Sequence, residues 1–255
     1  MPQNEPIIIL KDGSFSHEES RPEHHIFTTV RIEREKAVLW EQHEKRLLHD
    51  ARQIGTVWDI RRKEIIDRVA QNLKKGALRV TCTVDSWWIH AWKTSIDESA
   101  PLKTCWVEWN HRALLPAFVK HGYRSIANEL AKERGVDVLL WKNSKGEALE
   151  ASFGNIFSIV DGCLYTPPAR GNILDGIGRR SLIHVATALG IPVYENPILA
   201  TQGCWWMTSS LRTLQKLDIS KEEECIVPLR RAMNQYLCAS FYDVQTQEIC
   251  DNSKS

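Results

Sequence analysis

Apolar positions along the chain recur with two periods, and the switches between them divide it into elements. Strands are expected at 7–11 and 26–33, where apolar and β-branched residues run together. WEQHEKRLLHDARQIG then places Leu47, Leu48, Ala51 and Ile54 at helical spacing and stops at Gly55. A second helix fits RRKEIIDRVAQNLKKG, with Ile65, Ile66, Val69, Ala70 and Leu73 on its inner face. Three β-rich runs follow, ALRVTCTV, WWIHAWK and TCWVEWN, and complete an α+β half. The period is lost at NHRALLPAFVKHG and resumes as a helix in YRSIANELAKERG. Beyond it come strands in VDVLLWK, ALEASFGNIFSIV and CLYTPP, with a DG turn between the last two, and a helix over 176–189 stopped by Gly190. Strands PVYE and CWWMTSS and a helix PLRRAMNQYLCASFYD, with Pro228 in its first turn, close the pattern. The expected fold class is α+β in two lobes, a small one over 1–114 and a larger α/β one over 119–255. The boundary falls near 115–118, and a cleft lies between the lobes.

Composition narrows the partners. The chain has 255 residues, enough to bury a substantial core without disulfide staples. Its 33 Lys plus Arg against 32 Asp plus Glu leave a formal charge of +1, so nothing draws it in bulk to nucleic acid or an anionic membrane. Seven scattered cysteines show no metal or redox spacing, which points to a reducing cytoplasm and to no metal site. The apolar start of the chain is too short for a signal peptide or a membrane span, so a soluble, untargeted protein is expected. HEKRLLH looks superficially like a zinc helix, but His43 and His49 are six apart and do not share a face. The aromatic runs read as packing, because no basic stripe accompanies them.

Candidate chemistry starts at NILDGIGRRSLI, where Gly176 and Gly178 weaken the first turn of a helix. A helix N-terminus presents unpaired N–H groups and the positive end of the macrodipole, and glycine lets an anion approach that backbone closely. A tight strand-to-helix turn would use the same glycines, and both readings are open at this point. Upstream, Glu150 stands among small and apolar residues, where a carboxylate needs a cationic or protonated partner. Downstream, Thr208, Ser209 and Ser210 end a Trp-rich strand with three hydroxyls.

The ordered set Glu150, GNIFSIVDGCLYTPP, ILDGIGRR, GIPVYE and TSSL, preceded by HEKRL, resembles the fold-type IV pyridoxal-phosphate enzymes. These include branched-chain and D-amino acid aminotransferases and 4-amino-4-deoxychorismate lyase. The resemblance covers nearly the whole chain and implies a two-lobed fold with pyridoxal 5'-phosphate in the cleft. It implies that Lys120 holds the cofactor as a Schiff base and moves the substrate proton, and that Glu150 pairs with the pyridine nitrogen. Arg46, the N–H groups of Ile177 and Gly178, and Ser210 with Ser209 would hold the phosphate. Leu174 would pack on the ring, Tyr123 would reach its hydroxyl, and Asn155 would brace the strand. The family usually has a hydroxyl residue where Gly178 stands, which implies one phosphate contact fewer here. Phe153 and Gly154 likewise stand where small polar residues are common. A homodimer and a small amine or amino acid substrate are further expectations from the family.

Members of the family diverge once the proton has been removed. Strand alternation puts Phe27, Thr29 and Arg31 on one face, offering an apolar wall, a hydroxyl and a cation to a ring with carboxylates. That pattern is similar to the lyases, with Thr29 assisting pyruvate loss. A transaminase of the same family and a binding protein without catalysis are the alternatives.

Overall fold

The computed structural model describes residues 7–10, 15–16, 25–55, 63–84, 86–94, 98–109, 119–121, 125–170, 173–220 and 224–239. The chain begins in a six-stranded antiparallel sheet made of β1 (Ile7–Leu10), β2 (Phe15–Ser16), β3 (Ile26–Glu33), β4 (Lys36–Ala37), β5 (Gly76–Cys82) and β6 (Ser86–Trp92). Its order is β2-β1-β6-β5-β3-β4. β3 and β4 form a tight hairpin in which Arg34 and Glu35 both take positive φ, the twist a two-residue turn requires.

The strand period sorts β3 into two faces. Ile26, Val30 and Ile32 face a core shared with α1 (Trp40–Gln53) and α2 (Lys63–Leu73), where Leu47, Ala51, Ile66 and Ala70 are also buried. Phe27 and Thr29 face the other way. On α1 the apolar stripe is interrupted. His43, Arg46 and Asp50, three and four residues apart, are buried along with Leu47 and Ala51.

β7 (Thr104–Glu108) departs from the sequence reading, which grouped it with the first half. It pairs in parallel register with β8 (Val138–Lys142), and β9 (Ala148–Ala151) completes a three-stranded sheet β7-β8-β9. Parallel neighbours need a crossover, and α3 (Ser125–Glu133) lies within it. The boundary expected at 115–118 lies outside the described residues.

The third sheet runs β12-β11-β10-β13-β14, with β10 (Asn155–Val160), β11 (Cys163–Thr166), β12 (Val193–Glu195), β13 (Trp205–Thr208) and β14 (Gln215–Lys216). The DG turn is as expected, with Asp161 and Gly162 at positive φ between β10 and β11. One face packs Phe157, Leu164 and Trp206 against α4 (Ile177–Ala188) and α5 (Ile226–Ala239). The other packs Ile156, Trp205 and Met207 against Val138 and Leu140 of the three-stranded sheet. Pro228 is the third residue of α5, still in the turn whose N–H groups have no helical partner.

Phe157 is fully buried at the centre of the α4–α5 core. Truncating it, Phe157→Ala, should cost about 3–5 kcal/mol. Urea unfolding should show this as a lowered midpoint, whereas Val227→Ala, on the exposed face of α5, should stay within about 0.5 kcal/mol of the parent.

Candidate active site

The two glycines of NILDGIGRR pack against two different neighbours. Gly176 is the N-cap of α4, and among the described residues no side-chain cap is made at that helix end. A Cβ on Gly176 would stand 2.2 Å from Oδ1 of Asn155, and one on Gly178 would stand 2.7 Å from the Ser209 carbonyl oxygen. Both glycines therefore permit close packing, and the first turn of α4 has N–H groups without intrahelical partners. A hydroxyl residue at 178, the family's usual choice, has no room while Ser209 stays where it is. This changes the expectation of one contact simply missing. Close backbone approach occupies the space a side chain would take.

The loop after β13 is closed on itself. Ser209 N–H and Thr208 Oγ1 both donate to the carbonyl of Arg212, at 2.9 and 3.1 Å. Ser209 Oγ accepts the N–H groups of Leu211 and Arg212 at 3.3 and 3.1 Å. The Ser209 hydroxyl oxygen thus braces the loop that sets Ser209 and Ser210 beside the start of α4.

Leu174 ties this end to β9 and β10. Its N–H donates to Oε2 of Glu150 at 3.2 Å, and its carbonyl accepts Nδ2 of Asn155 at 2.7 Å and the Gly176 N–H at 2.9 Å. Glu150 is only 8% exposed, so the amide supplies part of the compensation its burial demands.

The opposite wall comes from the first half of the chain. The Lys120 carbonyl accepts the Phe27 N–H at 2.9 Å, and its own N–H donates to Oδ2 of buried Asp50 at 3.1 Å. Lys120 Nζ lies 5.1 Å from the centre of the Phe27 ring. Arg46 donates to Thr28 Oγ1, which also bonds His43 Nδ1 at 2.7 Å. Burial first, and then the positive charges of Arg46, Lys120 and Arg180, hold the His43 imidazole well below its ordinary pKa.

These parts enclose one cavity of about 370 Å³. Of the residues singled out from the sequence, Phe27, Thr29, Arg46, Lys120, Glu150, Asn155, Leu174, Ile177, Gly178, Ser209 and Ser210 line it. Arg31 does not line it. Its guanidinium turns to Glu33 on the same strand, at 3.2 Å. Tyr123 lies outside the described residues. The cation that reaches Thr29 is instead Arg79 of β5, paired in register with it, 3.4 Å from its hydroxyl and 4.5 Å from the Phe27 ring centre. Arg212, Trp92 and Phe153 line the cavity as well. A charged residue inside the β-branched run ALRVTCTV was the signal for Arg79, and cross-strand register decides which charge arrives.

The chain belongs to the amino-transferase class IV family, whose model matches residues 25–217. A candidate branched-chain-amino-acid aminotransferase of Synechocystis sp. is 28% identical over 155 residues, 61% of this chain and 43% of that protein. The matched segment thus spans less than half the length of that relative. A candidate 4-amino-4-deoxychorismate lyase from Legionella pneumophila superposes with a TM-score of 0.73 at 23% identity, covering 83% of this chain and 91% of that one. A hypothetical aminotransferase from Mycobacterium tuberculosis in its PLP-bound form gives 0.76 at 17%, covering 91% and 99%. At such identities the likeness is one of fold, and the fold is the α+β fold-type IV expected from the sequence.

This geometry has two measurable consequences. Gly178→Ser should destabilise the protein by about 1–3 kcal/mol through overpacking on Ser209, measured by urea unfolding. His43 has a folded pKa below its unfolded value, so the unfolded chain binds more protons. Its contribution to stability is full above the ordinary value of 6.5 and is lost as pH falls from there toward the lowered folded value. Unfolding midpoints between pH 8 and 5 should drop more steeply for the parent than for His43→Gln.

Proposed function

We propose that the chain is a pyridoxal-phosphate enzyme, and specifically a 4-amino-4-deoxychorismate lyase that forms 4-aminobenzoate and pyruvate. The observation that carries the reading is the convergence of Lys120, Glu150 and the uncapped start of α4 on one cavity. An amine, a buried carboxylate and a set of N–H and hydroxyl donors match the aldehyde, ring nitrogen and phosphate of that cofactor. When bound, the cofactor supplies an electron sink for the carbon that carries the substrate amine.

Several residues of the cavity then have a part in the reaction. Lys120 is the residue that would hold the cofactor covalently, and its Nζ, once displaced by the substrate amine, would accept the proton from the amine-bearing carbon. Glu150 would hold the proton on the pyridine nitrogen, and Leu174, its position set by Asn155, would pack on the ring. Arg46, the N–H groups of Ile177 and Gly178, and Ser209 and Ser210 would hold the phosphate. Tyr123 would reach the ring hydroxyl.

The lyase reading rests on the substrate wall. Two arginines, Arg79 and Arg212, with Phe27 and Trp92, suit a ring bearing carboxylates better than a branched aliphatic chain. Loss of the proton on the amine-bearing ring carbon to Lys120 and cleavage of the bond between the neighbouring ring carbon and the ether oxygen would leave an aromatic amine. The departing enolate of pyruvate would regain one proton, passed back from Lys120 with the help of Thr29 Oγ1. A branched-chain transaminase is the second reading, favoured by the Synechocystis relative. The proposal includes a homodimer working in the cytoplasm, which the scattered cysteine spacing suits.

Protein incubated with pyridoxal phosphate should gain a visible absorbance band that borohydride removes, and Lys120→Ala should lack it. With aminodeoxychorismate the loaded protein should release 4-aminobenzoate. If valine instead converts the cofactor to its amine form and no 4-aminobenzoate appears, the transaminase reading replaces the lyase. Absence of any band would sink both.

A further inference from the structure

We propose that Asp50 is a positioning residue for Lys120, its buried carboxylate holding the backbone from which the lysine reaches into the cavity. Asp50 is 1% exposed on the face of α1 that carries Leu47 and Ala51 into the core, where an ionisable group is costly unless its oxygens are bonded. Oδ2 accepts the Lys120 N–H at 3.1 Å, and Oδ1 meets Nδ1 of His49 at 3.2 Å. Lys120 is thereby gripped at both ends of its backbone, because its carbonyl accepts the Phe27 N–H at 2.9 Å.

The neighbours tighten the grip. Val119 is fully buried in the same core as Leu47, and His121 bridges Ile26 of β3. Three successive residues are thus fastened to α1 and β3, and the lysine N–H is held by the carboxylate of Asp50. Carboxylate acceptors make stronger bonds to N–H than neutral ones, so Asp50 limits rotation of the Lys120 peptide. Arg46, one turn earlier on the same stripe, reaches Thr28 and the cavity. One helix face therefore addresses both ends of the site.

The inference rests on the reading that Lys120 carries the cofactor, but its first test needs no cofactor. Hydrogen exchange of the cofactor-free protein, read by mass spectrometry, reports the Lys120 amide. Asp50→Ala should speed its exchange about tenfold or more, while amides of α4 and α5 keep their rates. Asp50→Asn, whose carboxamide oxygen can accept the same N–H, should stay within about threefold of the parent. In the loaded enzyme Asp50→Ala should lower kcat about 100-fold with little change in KM, and Asp50→Asn should recover most of it.

Unchanged exchange at Lys120 in Asp50→Ala overturns the inference. So does equal acceleration throughout α1 and β3, the mark of a merely structural role. If Asp50→Ala does not fold, Asp50→Leu, which keeps the bulk and removes both acceptors, decides, faster exchange confined to Lys120 supporting the inference and unchanged exchange overturning it. Parent protein that binds no pyridoxal phosphate defeats the proposed function alone, and the exchange comparison still decides whether Asp50 fixes Lys120.

Discussion

The first turn of α4 rests on the backbone of Ser209, and much of the cavity is held relative to that contact. Side chains at 176 and 178 would push Asn155 and Ser209 away, so the two glycines let a helix end, a strand and a loop meet at backbone distance. Asn155 then clamps the Leu174 carbonyl while Glu150 takes its N–H. The helix end, the hydroxyl-bearing loop and the buried carboxylate form one rigid piece. Gly176, as the N-cap, has no side chain with which to cap the helix, and a helix N-terminus of that kind is electrostatically suited to an anion.

The facing wall is built on an opposite compromise. α1 buries His43, Arg46 and Asp50 among Leu47 and Ala51, although each would cost less at the surface. Hydrogen bonding offsets the cost. Thr28 serves both His43 and Arg46, and the Lys120 amide serves Asp50. Apolar β3 neighbours, Ile26, Val30 and Ile32, fasten the helix, so the polar stripe is held by packing it does not itself supply.

Legibility in the sequence followed the range of the interactions. The helices of the first half, the DG hairpin and the alternation of β3 were readable because periods and turn residues act within a few positions. Glu150 and the glycines were readable within an ordered set, and the family resemblance supplied Lys120 and the expectation of a shared cleft. Local sequence rules alone do not give that cavity, since it joins segments far apart along the chain. Arg31 shows the limit well. Alternation put it on the face of Phe27 and Thr29, but nearby Glu33 holds its guanidinium, and Arg79 reaches Thr29 from the next strand. β7 failed for a similar reason, because a strand's composition does not say which edge it will join.

The sequence by itself determined the element types, the candidate chemistry and the place where the glycine-bearing helix begins. Those depend on dihedral preference, hydrophobic period and side-chain functional groups, all properties of short segments. Tertiary structure alone decided that Gly178 has no space for a hydroxyl, that Arg79 supplies the cation that reaches Thr29, and that Asp50 meets the Lys120 amide. Each of these depends on steric exclusion or hydrogen-bond reach between residues tens of positions apart, and only the packed chain brings those atoms within a few ångströms.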